Sequence, residues 1–403
     1  MFLNKKILFT LLLFSNLINA DAIFNFEVIN ESTGESFFGK GNDLTTIADQ
    51  LNKEISINFA NQSDLLNTKL DYRGLPVTLQ ISENSKKLTL NIPSLKIKKI
   101  FTGENRSSSL KKVEEWFKDG NEIKKIMKNL VKVSPVDPIA GNPSSLMSTS
   151  VENNFKNGFQ KVVTQQTNSF NKSSVLATPS YTSLDLDGKN SDKYTLPFSY
   201  SFNIGDNSQE KVLIYLPISY VNTQGAKSYL GSIGVSYSIP ILQQWTLTPN
   251  IEYSGVLSKE LATFIQLMAT SITSSYTIDL GNKYTISFGN MIGYSSTIKL
   301  LNTKYAINPN ISNTSFRNAL MYSIPTNSIY NNTSVDLFII NTKYIGTDLY
   351  LNSYNEIGFS FGLTNEGVSS ILGQKSQNEL KMGLTYLLAS KIKGISINFG
   401  YSF

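Results

Sequence analysis

The nine residues from Ile395 to Phe403 read Ile-Ser-Ile-Asn-Phe-Gly-Tyr-Ser-Phe and constrain the fold more than any other stretch. Large apolar side chains recur at Ile395, Ile397, Phe399, Tyr401 and Phe403, with only Ser, Asn and Gly between them. A period of two places all the large side chains on one face of a strand and the small polar ones on the other. Left as the edge of a soluble sheet, such a strand would template aggregation. Paired on both sides in a closed barrel, it can turn one face to lipid and the other to a lumen.

The opposite end is consistent with export. Lys5 and Lys6 precede a nearly apolar run from Ile7 to Ile18, and Ala20-Asp21-Ala22 offers small residues for cleavage. This reads as a secretory signal peptide over residues 1–20, too short for a membrane-spanning helix. No later stretch is long and apolar enough to span as a helix, so a membrane location requires strands.

Composition then removes function classes. Cysteine and histidine are both absent. Thiolate chemistry, Ser-His-Asp hydrolysis, imidazole base catalysis and most zinc or haem sites are therefore closed to this chain. The expectation is a protein that is not an enzyme and carries no cofactor and no metal. The net charge of +6 falls to about +4 without the two signal lysines. So mild a basic balance, with no recognition motif, implies no nucleic-acid partner.

From Thr178 onward, alternating segments are separated by Gly, Asn, Ser and Pro clusters. They run over 181–187, 193–204, 211–221, 229–241, 245–256, 264–280, 284–298 and 316–324. Two or three more lie within 333–363, followed by 379–387 and 394–403. The count is about 12 strands of a length that suits a tilted bilayer crossing. The fold class expected is mainly β: an antiparallel transmembrane β-barrel over 178–403, preceded by a small α+β domain. The longest gaps, 299–315 and 364–378, do not alternate cleanly between two rims, which suggests a misplaced strand between Thr333 and Asn378. Strand charges avoid the apolar parity throughout, as they must where a charge at the lipid midplane costs about 2–4 kcal/mol. Among them, Glu252, Arg317, Asp336, Glu356 and Lys381 are the candidate lumen charges. Either they form a constriction with an ion preference, or they pair internally and stiffen a filled barrel. Lys391 and Lys393 share the lipid parity but precede the last strand, where long side chains can snorkel.

Residues 21–133 look different. Strand-like runs stand at 23–28, 55–59, 77–81 and 88–92. Asn42 or Asp43 can cap a helix with Leu44, Ile47 and Leu51 on one face. A second helical stretch from Ser109 to Lys132 carries Leu110, Val113, Trp116, Phe117, Ile123, Ile126, Met127 and Leu130 inward, with a break at Gly120. Residues 134–177 form a linker, turn-rich to Pro143. Beyond it, Val151, Phe155, Phe159, Val162 and Val163 recur at helical spacing, for a helix inside or across the barrel mouth or packed on the small domain.

Three further motifs are weak. The lysine-rich stretch Lys96–Lys132, with Arg106, reads as a solvated helix face or as a surface for phosphates, lipopolysaccharide or peptidoglycan. Asp185 to Asp192 supplies oxygen ligands but fails the calcium-loop pattern, and a turn at Asp187-Gly188 accounts for it. Gly39-Lys40-Gly41 lacks what a phosphate loop needs.

The terminal strand resembles the C-terminal signature of bacterial outer-membrane β-barrels, and the order of signal, small domain and barrel resembles autotransporter-type proteins. The small N-terminal part departs from the long repetitive passengers of large autotransporters. The resemblance implies location in a bacterial outer membrane, with contacts to outer-membrane lipid and lipopolysaccharide. It also implies recognition of Ile395, Ile397, Phe399, Tyr401 and Phe403 by the barrel-assembly machinery. The role implied is a non-enzymatic barrel displaying, or plugged by, its N-terminal domain for surface interaction or envelope structure. The alternative is a porin-like diffusion channel with a periplasmic N-terminal domain.

Overall fold

A computed structural model describes residues 22–55, 63–119, 122–159, 173–204, 210–301, 306–327, 329–372 and 379–401. The N-terminal unit is a six-stranded antiparallel sheet in the order β2-β1-β3-β4-β5-β6. Its strands are β1 (Phe24–Asn30), β2 (Ser36–Gly41), β3 (Leu66–Tyr72), β4 (Leu75–Ile81), β5 (Lys87–Ile92) and β6 (Ile97–Thr102). Sequence reading found β1, β4 and β5 and missed the other three. Of the run expected at 55–59, Ile55 belongs to the helical turn after α1, and the rest lies outside the described residues. Asp43 is the cap of helix α1 (Leu44–Lys53), accepting from the Thr45 amide at 2.6 Å. The second helical stretch is two helices, α2 (Arg106–Asp119) and α3 (Ile123–Val133). One sheet face and the helices bury Phe24, Leu75, Leu88 and Ile126 almost completely. Burial of this apolar area, at about 25 cal/mol per Å², drives the unit to fold.

The barrel contains β8 (Ser180–Leu186), β9 (Lys189–Asn203), β10 (Lys211–Thr223), β11 (Ala226–Leu242), β12 (Trp245–Ser258) and β13 (Thr263–Asp279). It continues through β14 (Thr285–Ile298), β15 (Ser312–Pro325), β16 (Thr333–Gly346), β17 (Ser353–Leu363), β18 (Leu380–Leu388) and β19 (Ile392–Tyr401). Each strand pairs antiparallel with the next, and β19 pairs with β8, so the ring of 12 strands is closed. A short β7 (Ser173–Ala177) continues β8 in the same register along β9, with Ala177 opposite Phe198 and Ser180 opposite Thr195. Pro179, which has no N–H to give a ladder, marks the break. No strand was misplaced between Thr333 and Asn378: 333–363 holds two strands, β16 and β17. The two long gaps do not alternate because they lie at opposite rims.

Parity sorts the barrel as a membrane requires. Leu196, Phe198, Ile214, Ile218, Ile272, Ile292, Ile339 and Phe359 all stand on the outer surface. Tyr181, Tyr194, Tyr220 and Tyr229 form a row across four adjacent outer strands, with ring centroids 5.0, 6.2 and 5.5 Å apart in sequence. Toward the other rim, Trp245 pairs with Tyr276 and Tyr276 with Phe288. Along β13, Phe264 and Tyr276 are twelve residues apart, about 40 Å of strand; tilted near 45°, that spans roughly the 25 Å of an apolar band. The rings thus stand at two levels of the outer surface, the spacing that aromatic girdles have in membrane barrels.

An even number of strands brings both ends of the ring to one rim. The turns after β8, β10, β12, β14, β16 and β18 form the other rim, and the small domain sits there. Leu44 N donates to Glu260 O at 3.2 Å, Tyr350 N to Val131 O at 2.7 Å, and Lys132 lies 2.9 Å from Asp348.

Candidate functional site: the filled lumen and its rim

The linker is not a loose tether. Residues 134–150 are buried throughout, between the small domain and the barrel mouth. Arg73 meets Asp137 at 2.6 Å and donates to Leu261 O of the β12–β13 turn at 3.3 Å. Burial pushes the Asp137 carboxyl up, while Arg73 and the Ile139 and Ala140 amides pull it back. At the surface, Lys132 holds the Asp348 carboxyl below its ordinary range.

Past Pro143 the chain turns into helix α4 (Leu146–Gly158), which lies inside the barrel. Its 13 residues run about 20 Å along the lumen. Near the domain-bearing rim, Tyr344 donates to Ser148 Oγ at 3.2 Å, and Lys193 binds Glu152 at 3.1 Å and Pro143 O at 3.3 Å. Lower down, the Tyr215 hydroxyl lies 2.9 Å from Asn154 Oδ1, 2.9 Å from Asn250 Oδ1 and 3.2 Å from Glu252. Phe155 and Phe159 press on Gly289, where a Cβ would lie 2.5 Å from the Phe159 ring. Gly158 fits against Thr273 in the same way. Close approach of helix and wall thus depends on glycine at two positions, one on each side of the contact. Val151, Phe155 and Phe159 are buried there, whereas Val162 and Val163 lie outside the described residues.

The five candidate lumen charges all face inward, and the structure holds them in three separate groups. Glu252 is with Tyr215 and α4. Arg317 meets Glu356 at 2.6 Å and Thr342 at 2.6 Å, with its guanidinium carbon 5.3 Å from the centre of the Phe155 ring. Lys381 meets Asp336 at 2.5 Å and Glu379 at 2.6 Å, and Ser360 donates to Asp336 at 2.9 Å. Their partners sit along the wall or on α4, so they form no single charged ring. Sequence reasoning missed Tyr215, Glu152 and Asn154. The lumen parity of Tyr215 and the Glu152–Lys156 spacing of four were the available signals.

In the closing strand, Ile395 and Phe399 face outward with nearly half their surface exposed, Ile397 is partly exposed, and Tyr401 pairs with Leu380. Phe403 lies outside the described residues. Lys393 and Lys391 end on the outer rim near Asp185 (3.8 Å) and Asp187 (3.9 Å). Asp187 and Gly188 form the β8–β9 turn with positive φ values of 55° and 83°, and Asp187 accepts from the Tyr350 hydroxyl at 2.5 Å. The lysine-rich stretch divides. Arg106 is buried, donating to Ser85 O and Asp64 O; Lys99 meets Glu122 and Lys112 meets Thr102 O, each at 2.7 Å. Lys96, Lys98, Lys124, Lys125 and Lys128 are exposed.

An apolar-outside, polar-inside closed ring with an N-terminal helix in its lumen defines a class: an outer-membrane-type β-barrel with an autotransporter-like arrangement. No family model matches the chain, and no curated protein matches it. Among solved structures, the beta domain of the Bordetella autotransporter Brka is 12% identical over 58% of this chain and 99% of that one, with a TM-score of 0.40. The translocator domain of the autotransporter NalP from Neisseria meningitidis is 11% identical over 63% and 93%, also at 0.40. An outer-membrane channel from Pseudomonas putida F1 is 10% identical over 56% and 93%, at 0.36. The class of this chain rests on its own strand ring and outer face.

Proposed function

We propose that this protein is a non-enzymatic barrel of the bacterial outer membrane that anchors and displays its N-terminal domain, with its own helix as the plug. The observation that carries this reading is the path of the chain. The small domain sits on one rim, both ends of the strand ring lie at the other, and α4 runs between them through the lumen. Strands inserted from the periplasm leave the ring's ends on that side, so the domain-bearing rim faces outward. Display then serves surface interaction or envelope structure. Outer-membrane lipid and lipopolysaccharide surround the barrel, and the barrel-assembly machinery reads β19. The exposed lysines of β6 and α3 are the face from which an anionic surface ligand would be met.

The diffusion-channel reading is less well supported, because phenyl rings, Tyr215 and the Glu152–Lys193 pair occupy the cross-section a solute would use. Planar-bilayer recording of the refolded full chain tests this. Absence of stable open conductance is expected; a steady open state with defined ion selectivity would overturn the plugged form.

A further inference from the structure

Between the small domain and the barrel rim lies a cavity of about 950 Å³, within the size range of small-molecule sites. Helices α1 and α2 form one wall, with Ile47, Leu51, Leu110, Val113 and Phe117 turned into it. The opposite wall belongs to the barrel, and it is unusual. Leu257 and Phe264, which pair across the β12–β13 hairpin, carry the outward parity of their strands. Leu257 also pairs with Tyr229, so the wall continues the row of rings along the outer surface at this rim. The cavity is therefore not a lumen feature. Its barrel wall includes Leu257 and Phe264 of the outward-facing surface, at the level of the row of tyrosines, beside Ser258 and Thr263 of the hairpin. Beside it, the loop after β14 folds over the outside of β13, with Leu300 and Leu301 amides donating to Gln266, and leaves both leucines largely exposed.

We propose that this cavity receives an acyl chain of a membrane lipid, drawn up from the adjacent leaflet between the barrel wall and the small domain. Lys111 and Lys259 on its walls are balanced by Asp49 and Glu114, so no headgroup sign is selected and recognition is of hydrocarbon. The chain would cover apolar surface on both units at once and so fix the domain on the rim. The proposal rests on the transmembrane reading of the barrel.

The two tryptophans separate that reading from the proposal. Trp116 lies in the small domain, its ring centre 5.0 Å from that of Phe117, which lines the cavity. Trp245 begins β12 on the outer face at the opposite rim. The full chain is refolded into vesicles of phosphatidylcholine carrying bromine at mid-chain, a short-range quencher. Loss of Trp245 emission in the Trp116→Phe variant reports the barrel in the bilayer; its absence would sink the transmembrane reading itself. With Trp245 quenched, loss of Trp116 emission in the Trp245→Phe variant is the expected result, reversed when Ala48→Phe fills the cavity. Unquenched Trp116 overturns the proposal, as does quenching that Ala48→Phe leaves unchanged. Quenching by brominated stearate in plain vesicles, but not by the brominated phospholipid, would overturn it in favour of a free fatty acid.

Discussion

The small domain and the barrel are built inside out relative to one another. In the domain, Phe24, Leu88 and Ile126 are hidden and Lys124, Lys125 and Lys128 face water. In the barrel, Glu252, Arg317 and Lys381 are hidden, and Ile272, Ile292 and Phe359 are exposed. The same alternation serves both, and the solvent decides which half of the pattern is the inside. Burial alone therefore does not identify a core. In the barrel it identifies a polar interior, whose charged side chains are held by pairs along the wall and with α4.

The largest effects are expected inside each unit, by opposite means. Lys381→Met takes the cation from Asp336 and Glu379, side chains only 3% and 9% exposed, and should cost the barrel about 3–5 kcal/mol in urea unfolding from vesicles; Asp336→Leu and Glu379→Gln added to it should restore most of the loss. Phe24→Ala should cost the domain a similar amount, about 3–5 kcal/mol, through lost burial and a cavity. Trp245 emission follows the first and Trp116 emission the second, so a variant that moves both signals equally would show the two units to be one cooperative block.

Outward positions give the next effect, and here the units should differ in size. Ile292→Arg at mid-strand should cost the barrel about 2–4 kcal/mol. Gln80→Arg on the exposed face of β4 should stay within about 0.5 kcal/mol. Equal costs would remove the case for lipid around the barrel. The smallest effect is local: Asp43→Ala removes the α1 cap and should cost the domain about 1 kcal/mol, with no change in barrel unfolding.

What the sequence made legible follows the same contrast. Barrel strands are long, carry one parity and are cut by turn residues, so ten were read with ends only a few residues off, while 333–363, read as two or three strands, holds β16 and β17. Parity also put Glu252, Arg317, Asp336, Glu356 and Lys381 on the inner face. Which charge meets which was not legible, because Arg317–Glu356 and Lys381–Asp336 join strands two apart and depend on register. In the domain, β2 (Ser-Phe-Phe-Gly-Lys-Gly), β3 and β6 escaped notice. In β2 and β6 the alternation is broken by glycine or lysine, while β3 alternates but puts Thr68 among its buried Leu66, Leu70 and Tyr72; all three are short and half-polar. The route of α4 was the hardest feature. Its buried face includes Ser148, Thr149, Ser150 and Asn154, so an amphipathic stripe fails to show where the surrounding wall is itself polar.

The most direct test of the account uses the absence of cysteine in the chain. Lys128→Cys places a thiol on the exposed face of α3 in the small domain, and Gln243→Cys places one in the β11–β12 turn at the opposite rim. Intact cells carrying either variant are treated with a membrane-impermeant maleimide before and after the outer membrane is permeabilised. For a displayed domain joined through a filled barrel, the Lys128→Cys variant should label in intact cells and the Gln243→Cys variant only after permeabilisation. Labelling of the Gln243→Cys variant from outside, with the Lys128→Cys variant protected, would put the domain in the periplasm and contradict the account.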